Sequence, residues 1–358
     1  MYAIGIDRGF GATKYCCQDK FGCIDSLVAP ISQKRAIELI NNNKDDDSVI
    51  IIEVNNEYYL VGSYVASVEP SYAERDLRRT RDDINETILF ITAMGLATKN
   101  CSEQELVITT GLPTEDYNKL KKSYSEKILN NNKPYHFIIY NKNEKIEKTL
   151  TVVKTNIENQ PKGTIITTIN QKLLEGENWN SLKNKKFAVC DVGFNTSDFS
   201  IYVGKDIVNG EKINFSSFAM VQIVATAKKI IEDVFNCKKT EDEILNAFKT
   251  GKIKIRGKTE DCSEYTKKAF IKNADLLVRE ITSKWELFLD SFDEMILTGG
   301  VLENHIFANL LKALIKEKCG WNITVPESPQ YANAFGFYLI AESILNNKGW
   351  YKWEKPFK

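Results

Sequence analysis

An internal echo constrains this chain more than any other feature. Asp7-Arg8-Gly9-Phe10-Gly11-Ala12-Thr13 returns as Asp191-Val192-Gly193-Phe194-Asn195-Thr196-Ser197, with Asp, Gly and Phe in the same places. The second copy begins 184 residues after the first in a chain of 358, so it opens the second half. Each copy follows a short apolar run, Tyr2 to Ile6 or Phe187 to Cys190. Each precedes a second run, Thr13 to Cys17 or Phe199 to Val203. A strand, a glycine-bearing turn and another strand are therefore predicted at the head of both halves. A duplicated α/β domain supplies that repeat.

The remaining periodicity fits that scheme. Residues 49–54 and 57–61 read as a hairpin around Asn55-Asn56. Residues 85–98 have helical spacing, 105–111 read as a buried strand, and Pro113-Thr114 opens a helix to about 130. Strands at 136–141 and 146–154 and a helix at 163–174 follow, with Thr155 to Pro161 expected as the connection. In the second half, helices are predicted at 219–235, 263–290, 302–318 and 331–346, and a buried strand at 294–298 ends on Gly299-Gly300. Alternating strands and helices imply sheets with helices on their faces. The Asn41 to Asp47 and Asn130 to Lys133 tracts read as solvated loops.

Charge narrows the function classes. Lys and Arg total 48 and Asp and Glu total 48, so the basic excess of a chain that clamps bare DNA is absent. Direct nucleic-acid binding is not expected. The eight cysteines form no C-x-x-C and only His136 and His305 accompany them, which argues against zinc and for buried thiols in a reducing compartment. The opening MYAIGIDRGFG has no signal-peptide pattern and no apolar run reaches 18 residues. A cytoplasmic protein without membrane contact is expected.

The two turns are where chemistry is expected. Glycine lets a backbone bend tightly and lets phosphate oxygens reach N–H groups with no Cβ in the way. Asp7 and Asp191, each at the end of a strand, can hold the water shell of Mg²⁺, an oxygen-seeking ion that keeps several waters. Gly9, Phe10, Gly11, Ala12 and Thr13 in one turn, and Gly193, Phe194, Asn195 and Thr196 in the other, are the candidate phosphate contacts. Lys14 can reach phosphate oxygens as a point charge. Gly299, Gly300 and Val301, after a buried strand, offer a place for purine and ribose. Glu158 can act on an attacking water. Neither turn is the G-x-x-x-x-G-K-S/T loop or a G-x-G-x-x-G helix entry, and two plain hairpins or a solvated Glu158 are the alternatives that these residues alone leave open. Asp198 reads equally as a metal-shell carboxylate or a solvated strand residue.

In this order, these residues resemble the superfamily of actin, heat-shock-chaperone ATPases and sugar kinases, and within it the bacterial ParM group. Asp7 to Lys14 is similar to its first phosphate motif, Asp191 to Ser200 to the second, and Leu297 to Leu302 to the adenosine motif. Ile157 to Pro161 resembles the loop that carries the hydrolytic Glu, and Thr110 to Tyr117 and Ser328 to Gly336 resemble further ParM segments. Phe10, Arg8 and the Phe194-Asn195 pair depart from the pattern.

The resemblance implies an α/β, actin-like (ribonuclease H-like) fold of duplicated domains around a central nucleotide cleft. The core subdomains would be 1–25 with 85–180 and 330–358, and 181–215 with 263–329; the outer ones would be 26–84 and 216–262. It implies ATP, with GTP as the alternative, and Mg²⁺ as cofactors, and Glu158 with Asp191 as catalytic residues. It implies a homopolymer whose subunit contacts weaken on hydrolysis, segregating plasmid DNA through a DNA-bound adaptor. The alternatives are a small-molecule kinase on the same fold, which needs a catalytic Asp where this chain has Glu158, and a nucleotide-binding scaffold without hydrolysis. A chaperone would need a peptide-binding domain beyond the ATPase, for which the sequence is too short.

Overall fold

A computed structural model describes residues 1–43, 45–72, 84–98, 102–142, 144–194, 197–208, 215–217, 220–284 and 291–347. The chain divides into one unit of residues 1–178 and 331–358 and another of 179–330.

The first unit runs β1 (Tyr2–Arg8), β2 (Ala12–Cys16), β3 (Phe21–Asp25), β4 (Val28–Ile31), α1 (Gln33–Asn42), β5 (Ile50–Val54), β6 (Glu57–Val61), α2 (Tyr64–Val68), α3 (Ile84–Ala97), β7 (Glu103–Leu112), α4 (Thr114–Leu129), β8 (Tyr135–Asn141), β9 (Glu144–Asn159) and α5 (Pro161–Leu174). Its sheet has the order β3-β2-β1-β7-β9-β8-β5-β6-β4. At the centre, β1, β7 and β9 are parallel. Such strands are covered on both faces, which is why β1 and the second half of β7 read as unbroken buried runs. Ile4 and Ile6 point into the core shared with Ile88, Phe90 and Met94 of α3. Ala3 and Val107 point the other way, towards Ile166 of α5 and Phe337 of the helix Ala332–Asn346. The hairpin at Asn55-Asn56 forms as expected, with φ of 52° and 63° at its two turn residues.

The second unit runs α6 (Trp179–Leu182), β10 (Lys186–Val192), β11 (Ser197–Val203), β12 (Asp206–Ile207), β13 (Phe215–Ser217), α7 (Met220–Phe235), α8 (Glu241–Thr250), β14 (Lys252–Ile255), β15 (Lys258–Asp261), α9 (Ser263–Lys284), β16 (Glu294–Thr298), α10 (His305–Cys319) and β17 (Ile323–Thr324); α11 (Ala332–Asn346) then completes the first unit. The sheet order is β12-β11-β10-β16-β17, with β13 on β11. One face packs Ala188, Cys190, Phe199 and Leu297 against Ile223 and Val224 of α7, Ala274 and Val278 of α9 and Phe307 of α10.

The duplicated strand–turn–strand reading holds: β1 pairs antiparallel with β2, and β10 with β11. Two expected boundaries differ by three residues or more. The strand expected over 146–154 runs on to Asn159, because β7 continues beside it and pairs Gly111 with Glu158; Glu158 therefore lies in β9, not in a connecting loop. The helix expected over 302–318 starts at His305, after a 3₁₀ turn at Gly300–Glu303, because Asn304 caps it by accepting from the Ile306 and Phe307 amides. The helix expected over 263–290 is described to Lys284, and 285–290 lie outside the described residues. Among the described residues, no helix is long and apolar enough to cross a membrane.

Candidate functional site

The register of the first turn follows from β1 and β2, where Asp7 lies opposite Lys14 and Arg8 opposite Thr13. Side chains alternate along β1, so Asp7 and Arg8 point to opposite faces. Asp7 is 2% exposed, and both of its oxygens are engaged. Lys14 Nζ donates to Oδ2 at 3.1 Å and Gln160 Nε2 to Oδ1 at 3.0 Å. A buried carboxylate held by two donors keeps one orientation.

Arg8 shares the face of Ile4 and Ile6 and is buried with Glu86, in the first turn of α3, as a two-pronged ion pair through Nε and Nη2. Its remaining Nη1 donates to the Gly9 carbonyl at 2.8 Å. Ser26 Oγ donates to the same oxygen at 2.8 Å, and the Ser26 amide donates to Gly11 O at 3.1 Å. Thr13, fully buried, shares a 3.1 Å hydroxyl contact with Ser26 and so belongs to this bracing. The Gly9 amide closes the turn onto Ala12 O at 3.1 Å. In a trans peptide, C=O and the following N–H point oppositely. Fixing the Gly9 carbonyl on the protein side therefore fixes the Phe10 amide on the other.

The second turn reaches the same arrangement with other parts. The first amides of α7 hold its carbonyls: Met220 N donates to Gly193 O at 3.2 Å and Val221 N to Phe194 O at 2.9 Å. The Phe194 amide is thus aimed as the Phe10 amide is, while the Phe194 ring packs on the core. Asn195 and Thr196 lie outside the described residues. Asp191, 7% exposed, lies directly across from Asp198, also 7% exposed. Burial pushes the Cys190 thiol well above its ordinary range, and the charges of Asp191 and Asp198 add to the shift.

Gly299 is brought against this turn. Its φ of 104° and ψ of 159° belong to a region essentially reserved for glycine. A Cβ there would lie 2.3 Å from Val192 O and 2.7 Å from Asp191 Oδ1. The strand end at Thr298 is held to Pro329 O through both its hydroxyl and the Gly299 amide. Gly300 faces the Gln330 side chain, and Val301 is buried in the core beside it.

Glu158 is partly buried near the end of β9. Asn156 Nδ2 donates to it at 3.1 Å and Lys162 Nζ lies 3.9 Å away. Its charge adds to burial in raising the Tyr117 phenol. The residue that touches Asp7 is Gln160, which precedes Pro161 at the start of α5. Gln160 and Ser26 are site residues not expected from the sequence; the signal for Gln160 is its place directly before the proline that starts α5.

The structure therefore brings Asp7, Lys14 and Gln160 together in one unit, and Asp191, Asp198 and Gly299 together in the other. The donors are carboxylate and amide oxygens, which suit Mg²⁺ held through water. Among the described residues, no group of three or more His, Cys, Asp or Glu is placed to hold a metal ion.

Comparison with known proteins places these motifs in context. Residues 5–163 match the family model "Actin like proteins N terminal domain" and residues 189–305 match "Archaeal actin homologue MreB-like, C-terminal". No curated protein matches. Among solved structures, the fold is similar to that of a 15-stranded ParM filament from Clostridium botulinum, with 22% identity, a TM-score of 0.75 and coverage of 96% of this chain and 99% of that one. It is similar to the apo psk41 ParM protein at 22% identity and TM-score 0.68, covering 97% and 98%. It is also similar to Ta0583, an archaeal actin homolog in complex with ADP, at 18% identity and TM-score 0.73, covering 96% and 99%. At these identities the likeness speaks for the fold.

Proposed function

The chain belongs to the actin-like superfamily, and we propose that it binds a magnesium–nucleoside triphosphate, hydrolyses it slowly and assembles into a filament. The observation that carries this reading is the twice-built turn, in which the glycine carbonyls are tied back and the Phe10 and Phe194 amides are set to meet phosphate oxygens. Two neighbours in fold support the rest: one is a ParM filament and one an actin homologue bound to ADP.

In this reading, Lys14 and the Gly9–Ala12 backbone hold phosphate oxygens, with Gly193 and Phe194, followed by Asn195 and Thr196, doing so from the second turn. Gly299, Gly300 and Val301 receive the adenosine, with GTP as the alternative nucleotide. Asp7 and Asp191 would hold Mg²⁺ through water, where the ion neutralises phosphate charge. Gln160 keeps Asp7 oriented towards that task. Glu158, fixed by Asn156 and Lys162, takes the proton of the attacking water; positioning and charge stabilisation supply most of the rate. A polymer needs a heterologous, non-closing contact between copies. The zero formal charge suits attachment to plasmid DNA through an adaptor in the cytoplasm better than direct binding.

High-speed pelleting with phosphate release tests the reading. With ATP and Mg²⁺ the wild-type protein is expected to sediment as polymer and to release phosphate, and Glu158→Ala to cut release by about 100-fold or more while polymer persists longer. Absence of sedimentable polymer across salt and crowding conditions would refute the filament. Phosphate release that rose steeply with an added sugar would point to a phosphotransferase instead.

A further inference from the structure

The echo sets a question that the nucleotide reading leaves open: why one turn begins Asp-Arg and the other Asp-Val. Val192, the counterpart of Arg8, is fully buried in the apolar core of its unit. Its turn needs nothing from it, because the α7 amides already hold the Gly193 and Phe194 carbonyls. Among the described residues, the Gly9 carbonyl is held by Arg8 Nη1 and Ser26 Oγ and not by a helix amide.

We propose that Arg8 is a positioning residue for phosphate binding: clamped by Glu86, it supplies at Gly9 the hydrogen bond that a helix N-terminus supplies at Gly193. The proposal rests on the nucleotide reading above. The guanidinium suits the task because its planar fork serves two acceptors at once. Nε and Nη2 engage Glu86 while Nη1 reaches the carbonyl. The side chain of Arg8 is 1% exposed and that of Glu86 3%, so the fork is not a solvent-facing ion pair and its geometry is set by the core around it. Glu86 lies in the first turn of α3, where its negative charge is also favoured by the helix dipole. Arg8 thus makes the aim of the Phe10 amide depend on the seating of α3 beneath it.

Removing Arg8 alone would take the guanidinium from a buried carboxylate and confound folding with binding. The informative variant is Arg8→Met with Glu86→Leu, an apolar replacement of the whole pair that such sites tolerate well. Dissociation constants for ATP, ADP and adenosine are measured alongside the melting temperature and amide exchange in the peptide covering residues 8–12. The expected result is a folded protein whose ATP and ADP affinities fall about tenfold, the scale of one charge-assisted hydrogen bond, with adenosine affinity unchanged and exchange in the turn accelerated. A purely structural role would lower all three ligands alike or none. Arg8→Lys, which keeps the charge and loses the fork, is expected to shift the ATP-to-adenosine ratio in the same direction, and it decides the matter should the double variant fail to fold. Unchanged ATP affinity and unchanged turn exchange in a folded variant would overturn the proposal. If the wild-type protein bound no nucleotide, the nucleotide reading would fall, and the exchange measurement would still decide whether Arg8 holds the turn.

Discussion

The two turns share a backbone solution and differ in how they reach it. In the first unit, charge does the holding: Asp7 faces Lys14 across the strands, and a buried Arg8–Glu86 pair backs the bend. In the second, the position opposite Asp191 is Asp198, the residue behind it is Val192, and the bend rests on helix amides and on Gly299. One turn is close to neutral by itself; the other presents two carboxylates side by side. Like charges directly opposite one another on a sheet disfavour each other, so the second turn sets two carboxylates against each other where the first pairs its carboxylate with a lysine. A repeat can therefore preserve where an amide points while exchanging every side chain that holds it there.

This contrast can be broken by substitution. The largest effect is expected from Arg8→Met alone, which takes the guanidinium from the buried Glu86 and should cost about 3–5 kcal/mol in denaturant unfolding. Its counterpart Val192→Ala removes only buried apolar surface and should cost about 2 kcal/mol; equal losses would mean that Arg8 acts as packing. Gly299→Ala forces a Cβ into the Val192 carbonyl at a backbone conformation reserved for glycine, and should cost about 2–3 kcal/mol. It should also weaken nucleotide binding, and a variant as stable as wild type would remove Gly299 from the comparison. The smallest effect belongs to Asp198→Asn. Without Mg²⁺ it should stabilise the protein by about 0.5 kcal/mol, and it should reduce the rise in melting temperature that Mg²⁺ gives with nucleotide. Destabilisation instead would show that the two carboxylates are already compensated within the protein.

Much of this was legible locally. Glycine and a period of two mark both strand–turn–strand units, and Asn55-Asn56 marks a hairpin because asparagine tolerates positive φ. Arg8 carried a partial signal: it continues the parity of Ile4 and Ile6, so a charge on that face had to find a buried partner. Nothing local names the partner, since Glu86 lies 78 positions away. The same holds for Gln160 and Asp7, which are 153 apart. The extension of β9 past Lys154 was hidden because Thr155, Asn156 and Glu158 are polar, and only the parallel neighbour β7 draws them into a sheet. The start of α8 is legible too, because Thr240 and Glu243 form a capping box in plain sequence.

The helix α11 has a consequence for synthesis. The chain leaves the first unit at residue 178 and re-enters it at 331, and α11 then packs so closely on α5 that a Cβ on Gly336 would lie 1.9 Å from the Gly163 carbonyl. On the ribosome, the second unit emerges whole while the first still lacks the helix that seals one face of its sheet. The second unit can thus finish folding before the first, which closes only once α11 has been made.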